Sequence, residues 1–463
     1  MKSPPPRPVI NLLPDERRAA VSLASIYALR MLGLFMILPV FALYAEQLQG
    51  VTPMLMGLAI GMYGLTQAIF GIPVGALSDR IGRKPVIVGG LVIFAIGSVI
   101  AALADSIYGV ILGRAVQGAG AISAVLMALA ADLTREDVRL RVMATIGATI
   151  GISFALSLVL GPVLDRWIGV PGIFWLIAAL SLGAIFVLQF GVPQLAGLPI
   201  PAAAQPGQFK EVLADRQLLR LDFGILVLHM ILTAMFVALP HALRDHAGLA
   251  APHHWYVYLP VMLVAMALMV PFIIRAERKR QMKPIFVSAI LVASLAQFGI
   301  VWFYDSLPVL VVLLIVFFTA FNVLEASMPS LVAKIAPNTR KGTAMGMFST
   351  AQFLGAFLGG TLGGWVSTHY GLQGVFAFCA GAALLWFAAA FNMASPRYLS
   401  SHQIPVGKVD AAAAPQLALQ LTQIPGVAEA KVVPEQGMAY LRVDWNALDH
   451  DALQKISAAH GAA

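Results

Sequence analysis

The sequence predicts an all-α membrane protein with twelve transmembrane helices in two six-helix halves, followed by a small α+β domain. Three observations carry this reading. The 463 residues are 59% hydrophobic and only 11% charged, with a mean hydropathy of +0.84, whereas a water-soluble surface needs roughly a quarter of its residues charged. Basic residues cluster at every second connection between apolar stretches. The two halves also echo one another at matching places.

The apolar stretches fall at 19–45, 53–77, 85–104, 108–131, 140–164 and 171–193, then at 218–242, 255–275, 284–304, 308–333, 341–367 and 373–394. Each is long enough to cross a hydrocarbon core of roughly 30 Å as a helix. The chain therefore divides into an N-terminal tail (1–18), a first bundle (19–193), a linker (194–217), a second bundle (218–396) and a soluble domain (406–463). The tail, MKSPPPRPVINLLPDERR, precedes an apolar run that is too long for a cleaved signal peptide and lacks an A-x-A site, so that run should stay as the first anchor. The linker, with LPIPAAAQPGQ, has the Pro, Ala and Gly expected between two bundles.

A formal charge of +8 and a pI near 9.6 invite a nucleic-acid reading, but placement decides against it. Arg80, Arg83 and Lys84, then Arg135, Arg139 and Arg141, then Lys210 and Arg216, then Arg275, Arg278, Lys279 and Arg280, then Lys334, Arg340 and Lys341 occupy alternate connections. The intervening ones carry chiefly Arg166 and Arg244. By the positive-inside rule both termini are cytoplasmic, in a multi-pass protein of the inner membrane whose partner is the anionic lipid surface rather than DNA. The lone Cys379 excludes an internal disulfide, a thiolate metal cluster or a CxxC redox pair, and reads as a packing residue. No nucleotide loop or nucleophile motif appears, so neither an enzyme nor a cofactor is expected.

The echo is read at two places. Asp79-Arg80-Ile81-Gly82-Arg83-Lys84-Pro85 follows helix two, and Glu277-Arg278-Lys279-Arg280 with Lys283-Pro284 follows helix eight. Arg141-Val142-Met143-Ala144 and Lys341-Gly342-Thr343-Ala344-Met345 follow helices four and ten. The segment from Gly75 to Lys84 closely resembles the loop signature of the major facilitator superfamily, which implies the major facilitator fold. In that signature Gly71 and Gly75 are expected to let a neighbouring helix approach. Asp79, Arg80 and Arg83, with Asp132 at the end of helix four, are expected to form a conformational latch made in one access state, the resemblance implying the state closed on the cytoplasmic side. The run Leu112 to Ala121, with Arg114 and Gln117, resembles the superfamily's Arg-containing motif of proton-linked members. Gly161-Pro162 resembles the antiporter motif, departing from it at Leu164 and Asp165. Leu29-Arg30-Met31-Leu32-Gly33 with Leu38-Pro39-Val40, and Phe321-Asn322-Val323-Leu324-Glu325-Ala326 with Pro329-Ser330-Leu331, are similar to drug/proton antiporter-like carriers of the YajR type, which implies a C-terminal ferredoxin-like domain.

From Val406 onward the composition turns soluble. Ala411 to Leu421 and Ala447 to Ala459 read as helices, and Ala428 to Val433 and Met438 to Asp444 alternate as a hairpin of strands. Pro425-Gly426 and Glu435-Gln436-Gly437 supply the turns. Without Cys pairs, and with His450 and His460 unclustered, no metal site is expected. A regulatory or oligomerisation role is, with a ligand or partner the sequence does not name.

An ionisable group inside an apolar helix costs several kcal/mol unless paired or hydrated, so each is a functional candidate. Arg30 in helix one, Arg114 in helix four, His229 in helix seven and Glu325 in helix ten meet this test. Counting residues from the helix ends places Arg30, His229 and Glu325 at similar depth, so they are expected to meet and carry proton coupling. Arg114, Gln117 and Asn322 join them as candidate lining of a substrate cavity. Gly355, Gly359 and Gly363 on helix eleven and Gly57 and Gly61 on helix two form small-residue faces expected to bring the halves together. The function these features imply is proton-coupled export of a small amphiphilic or drug-like molecule by alternating access. A carrier of a sugar or organic acid, and a non-transporting sensor signalling through the C-terminal domain, are the alternatives.

The charge pattern makes a topological prediction. Alkaline phosphatase fused after Arg397 should be inactive in cells, and strong activity there would overturn the assigned orientation.

Overall fold

The computed structural model describes residues 12–193, 206–336, 340–394, 400–407, 409–410, 412–434, 437–444 and 447–461. The tail to Asn11, the linker from 194 to 205, the junction at 395–399 and the expected turn residues Glu435 and Gln436 lie outside the described residues. The chain divides into two compact units, Met1–Ala394 and Ser395–Ala463.

The first unit holds ten apolar helical stretches long enough to cross a membrane, two of them 51 residues long. A 51-residue helix would run about 75 Å, more than twice the hydrocarbon thickness. Each is folded back on itself at one glycine, Gly169 (φ 66°, ψ 171°) and Gly371 (φ 66°, ψ −168°). That region of backbone space is open to glycine and closed to residues with a Cβ. The expected loops between helices five and six and between eleven and twelve thus shrink to a single residue, at equivalent places in the two halves. The spans are α1 (Pro14–Ala45), α2 (Pro53–Ile81), α3 (Arg83–Ala102), α4 (Ile107–Asp132), α5 (136–168), α6 (170–191), α7 (Arg216–His246), α8 (Ala251–Arg278), α9 (Met282–Phe303), α10 (Leu307–Ile335), α11 (341–370) and α12 (372–391).

Two spans are broken. The α1 helix pauses after Phe35 and resumes at Leu38, ahead of Pro39, whose nitrogen has no proton to donate. Gly161 packs on this break, where an added Cβ would lie 2.5 Å from the Met36 carbonyl oxygen and 2.8 Å from Pro39, and Pro162 follows it in α5. The α4 helix pauses after Ala119 and resumes at Ser123. The expected tail is shortened, because α1 starts at Pro14: the Glu16 carboxylate accepts from the Leu13 amide (2.8 Å) and pairs with Arg135 (2.8 Å), tying α1 to the start of α5. A short helix, Pro206–Ala214, lies inside the expected linker.

The halves touch at one end only. Where α2 and α11 cross, Gly57, Gly61 and Gly64 face Gly360, Phe357 and Phe353, and an added Cβ on any of the three would strike α11 backbone. The face of α11 that meets the other half is therefore Phe357, Gly360 and Gly364. Gly355, Gly359 and Gly363 instead receive Leu226, Met230 and Ala234 of α7, within their own half. One helical turn holds both glycine faces, and the sequence does not say which partner takes which. At the same end Glu46, just past α1, bonds Arg244 (2.7 and 2.8 Å) and His241 (3.0 Å) of α7. The Arg244 guanidinium, with help from His241, holds the Glu46 carboxyl below its ordinary range. Its contribution to closing this end is therefore present above the ordinary carboxylate pKa and is lost as pH falls through the depressed value.

At the opposite end, which carries the basic connections, the halves stand apart. Cβ atoms added to Gly71 or Gly75 on α2, Gly147 or Gly151 on α5, or Gly342 or Gly346 on α11 would meet nothing within 4 Å. Gly71 and Gly75 thus pack against no helix here, contrary to the expectation, because the bundles splay where these residues lie.

In the second unit, β1 (Ser400–Pro405), α13 (Ala414–Thr422), β2 (Val427–Val433), β3 (Met438–Val443) and α14 (His450–Gly461) form an antiparallel sheet of order β1-β3-β2 with two helices. Ile404, Leu417, Leu421, Leu441 and Val443 fill its core. The domain starts six residues earlier than expected, since β1 has a polar sequence and is recruited by pairing with β3 rather than by its own propensity.

The glycine contact makes a prediction. Gly57→Val should force α2 and α11 apart at the closed end, so a cysteine at buried Met56, in a Cys379→Ser background, becomes reactive to a membrane-impermeant maleimide. Unchanged protection would show that another contact closes this end.

Candidate functional site

Inside the first half, Arg30 is 2% exposed. Its Nη1 donates to Ser123 Oγ (2.5 Å), and its Nη2 to Tyr63 Oη (3.0 Å), Gln67 Oε1 (2.9 Å) and the Gly120 carbonyl (3.2 Å) at the α4 break. Tyr27 donates to the Ser123 carbonyl nearby (2.5 Å). Arg114, also 2% exposed, donates to Gln117 Oε1 (2.9 Å) and lies over the Tyr63 ring, 5.2 Å from its centroid. Gln117 donates onward to Ser98 (2.8 Å). Tyr63 thus stands between two buried guanidiniums, and neither reaches a carboxylate among the described residues. Sequence reasoning placed Arg30, Arg114 and Gln117 correctly as intramembrane polar groups but missed Tyr63, Gln67's role and Ser123, whose partner is fixed by the α4 break.

The second half holds a different cluster. Glu325 of α10 accepts from Gln352 Nε2 of α11 (3.2 Å), and the same Gln352 nitrogen lies 2.8 Å from His229 Nε2 of α7. His229 Nδ1 lies 3.3 Å from the Ile225 carbonyl. A carbonyl only accepts, so Nδ1 carries the proton and Nε2 accepts from the amide, which makes this a neutral imidazole. Gln352 thus spends both amide protons, one on His229 and one on Glu325. Among the described residues the other Glu325 oxygen, Oε2, 3.9 Å from His229 Nε2, accepts no hydrogen bond, and Asn322 Nδ2, one turn away on α10, has no partner either. Both atoms are shielded from solvent as they stand.

Glu325 and His229 meet as expected, and Arg30 does not join them. Depth was countable from the sequence, but azimuth was not: the Arg30 guanidinium is turned into its own half, where four oxygens accept from its two Nη groups and Nε is left without a partner among the described residues. The boundary between halves at this level is aromatic. Phe154 of α5 packs on Phe318 and Phe321 of α10 (6.3 and 5.9 Å between centroids), and Tyr63 on Phe353 of α11 (6.2 Å). Phe321 also lies beside His229 (6.2 Å). These rings close the cavity toward the sealed end and leave Glu325, with a third of its side chain exposed, on the open side.

At the basic end Arg83 pairs with Asp79 and with Asp132 (3.1 Å) and donates to Ser78 (2.6 Å), while Arg80 is exposed. This network lies wholly within the first half and is made while the basic end is open. It is therefore not reserved for the state closed on that side, because its members span α2, α3 and α4 and never cross to α11. The second half repeats it with the charges rearranged: Glu277 in the last turn of α8 accepts from Lys334 (2.9 Å) and Ser330 (3.3 Å) of α10.

The buried arginine makes a prediction. Gln67→Leu removes an acceptor from a sealed guanidinium and should cost about 1.5–3 kcal/mol of stability, read as a lowered Tm of the purified protein. An unchanged Tm would mean water replaces the lost oxygen.

Comparison with known proteins accords with this architecture. The chain is 48% identical over 436 residues to the inner membrane transport protein YajR of Escherichia coli (strain K12), covering 94% of this chain and 96% of that one. It is 28% identical over 353 residues to the multidrug resistance protein MdtH of Aeromonas hydrophila, covering 74% and 86%. Its fold matches a bacterial homolog of the human lysosomal transporter Spinster, solved inward-facing and occupied, with a TM-score of 0.69 at 14% identity over 82% of this chain and 97% of that one. The sequence pattern of the Major Facilitator Superfamily matches residues 23–325 and 283–435, and with two six-helix halves that meet at one end, the chain belongs to that superfamily of transporters.

Proposed function

We propose that this protein is a proton-coupled exporter of a small amphiphilic or drug-like molecule, working by alternating access in the inner membrane with both termini cytoplasmic. The observation that carries the reading is Glu325, a carboxylate in an apolar cavity with one oxygen held by Gln352 and the other unpartnered. The printed names of the YajR and MdtH relatives, an inner membrane transport protein and a multidrug resistance protein, support it.

The physical argument runs through desolvation. With the basic end open, water reaches Glu325 and the ionised form is tolerable. Closing the cavity over a bare carboxylate costs several kcal/mol. The halves therefore rock with Glu325 neutralised, by a proton or by a substrate group on Oε2. One carboxylate serving both makes their occupancy exclusive, which is the coupling. His229 is the relay: a proton on Nε2 displaces the Gln352 amide and turns that nitrogen into a donor toward Glu325 Oε2. Rocking exchanges the sealed α2–α11 glycine contact for closure at Gly71, Gly75 and Gly346, which stand clear and ready to pack. The sealed state of Arg30 and Arg114 disfavours the alternative of an organic acid bound by these two cations.

In proteoliposomes with an imposed pH gradient, Glu325→Gln should keep substrate binding and exchange but lose uphill transport. Full uphill transport by a well-folded Glu325→Gln protein would overturn the coupling mechanism.

A further inference from the structure

The polar clusters of the two halves are joined through a single turn of α11. Gln352 donates to Glu325 of α10 (3.2 Å), and the same nitrogen lies 2.8 Å from His229 Nε2 of α7. Its neighbour Phe353 leaves the helix about 100° away and meets Tyr63 of α2 edge to face, with 6.2 Å between centroids. Tyr63 is 3% exposed and held from within the first half. Its Oη accepts from Arg30 (3.0 Å), its ring lies under the Arg114 guanidinium (5.2 Å) and against Phe94 (6.2 Å), and a Cβ on Gly118 of α4 would strike its carbonyl oxygen. The backbones beside the two rings leave no slack. A Cβ on Gly64 of α2 would strike the Phe353 carbonyl oxygen and lie 3.1 Å from the Phe357 nitrogen. On its other side α11 seats Gly355 and Gly359 on Leu226 and Met230 of α7 equally closely. At this level α11 is a close-packed bar between α7 and α2, and a packed interior transmits a displacement rather than absorbing it.

The charge on Glu325 sets how firmly this bar is held. An amide hydrogen bond to an ionised carboxylate is roughly twice as strong as one to a neutral acceptor, so a proton on Glu325 loosens the grip of α10 on Gln352. A proton on His229 Nε2 acts in the same sense, because two donors then face each other across 2.8 Å. We propose that Gln352, Phe353 and Tyr63 are positioning residues for the proton-coupled step: Gln352 responds to the charge on Glu325, and the Phe353–Tyr63 contact carries the response to the α2–α11 seal. This rests on the coupling reading above for the role of Glu325, and it adds the path by which an event inside the second half unlocks that half from the first. Ionised Glu325 holds Gln352 and keeps the two rings engaged. Neutral Glu325 releases α11 and lets the seal part.

A double-mutant cycle on the opening of the seal tests this. Gln47 follows Glu46 at the rim, Thr368 lies one turn beyond Gly364, which meets Pro53, and both are exposed. Spin labels on cysteines at these two positions, in a Cys379→Ser background of the full-length protein, give the ratio of open to sealed molecules from the distance between them. One fixed pH keeps the Glu46–Arg244 pair unchanged. Glu325→Gln, which imitates the protonated residue, should raise that ratio about fivefold or more. Added to Phe353→Leu, Tyr63→Leu or Gln352→Leu, the same change should move it less than about twofold, the margin within which independent sites add. Added to Tyr63→Phe, which keeps the ring, it should again act about fivefold. If the full response to Glu325→Gln survives in the Phe353→Leu and Tyr63→Leu proteins at unchanged Tm, the proposal is overturned and the coupling reading stands. The proposal also fails if Tyr63→Phe loses the response as completely as Tyr63→Leu. A Glu325→Gln protein no more open than its parent overturns the coupling reading itself, and the link with it.

Discussion

Hydrocarbon offers no hydrogen-bond partner, so every polar group placed inside a span must be satisfied by the protein itself or by water admitted on purpose. Much of this structure follows from that constraint. The α4 break at Gly120 frees backbone groups in mid-membrane, and Arg30 and Tyr27 reach across from α1 to meet them. Arg114 has Gln117 and the face of Tyr63. The helix-one break is covered by Gly161, which brings α5 backbone against it. Each device fixes the position of one helix relative to another.

Neither half satisfies the constraint in full, and among the unpartnered buried atoms one pair in the second half includes a carboxylate oxygen. Glu325 Oε2 and Asn322 Nδ2 are unpartnered on one face of α10, beside a His–Gln pair whose protons are already committed. A group of that kind is stable while water can enter and costly when the cavity seals, so its occupancy and the position of the two halves depend on each other. The glycine face of α2 against α11 gives the sealed end a tight and separable contact, and Glu46 with Arg244 adds a charge pair at the rim.

The basic-end network shows how a motif is legible while its role is not. Asp79, Arg83 and Asp132 were readable as interacting groups, and they do interact. That they interact with the basic end open depends on all three lying in one half, and the reach of Arg83 to α4 is a property of how α2, α3 and α4 pack. The Glu277–Lys334 pair, equivalent in place but reversed in charge arrangement, shows that the repeat conserves the location of an ion pair at this bend rather than its members.

The sequence by itself determined the solvent, the number of spans, the two-half repeat, the soluble tail domain and the identity of the charged residues inside the membrane. These follow from hydropathy over about 20 residues and from charge alternation, which are one-dimensional quantities. Tertiary structure decided the rest. It divided the α11 glycines between α7 and α2, turned Arg30 away from Glu325, made Gln352 the bridge to His229, and left Gly71 and Gly75 in open space. The reason is rotational. A residue count fixes depth along a helix, whereas the direction each side chain faces depends on breaks at Met36 and Gly120, on reversals at Gly169 and Gly371, and on which neighbour satisfies each polar group first.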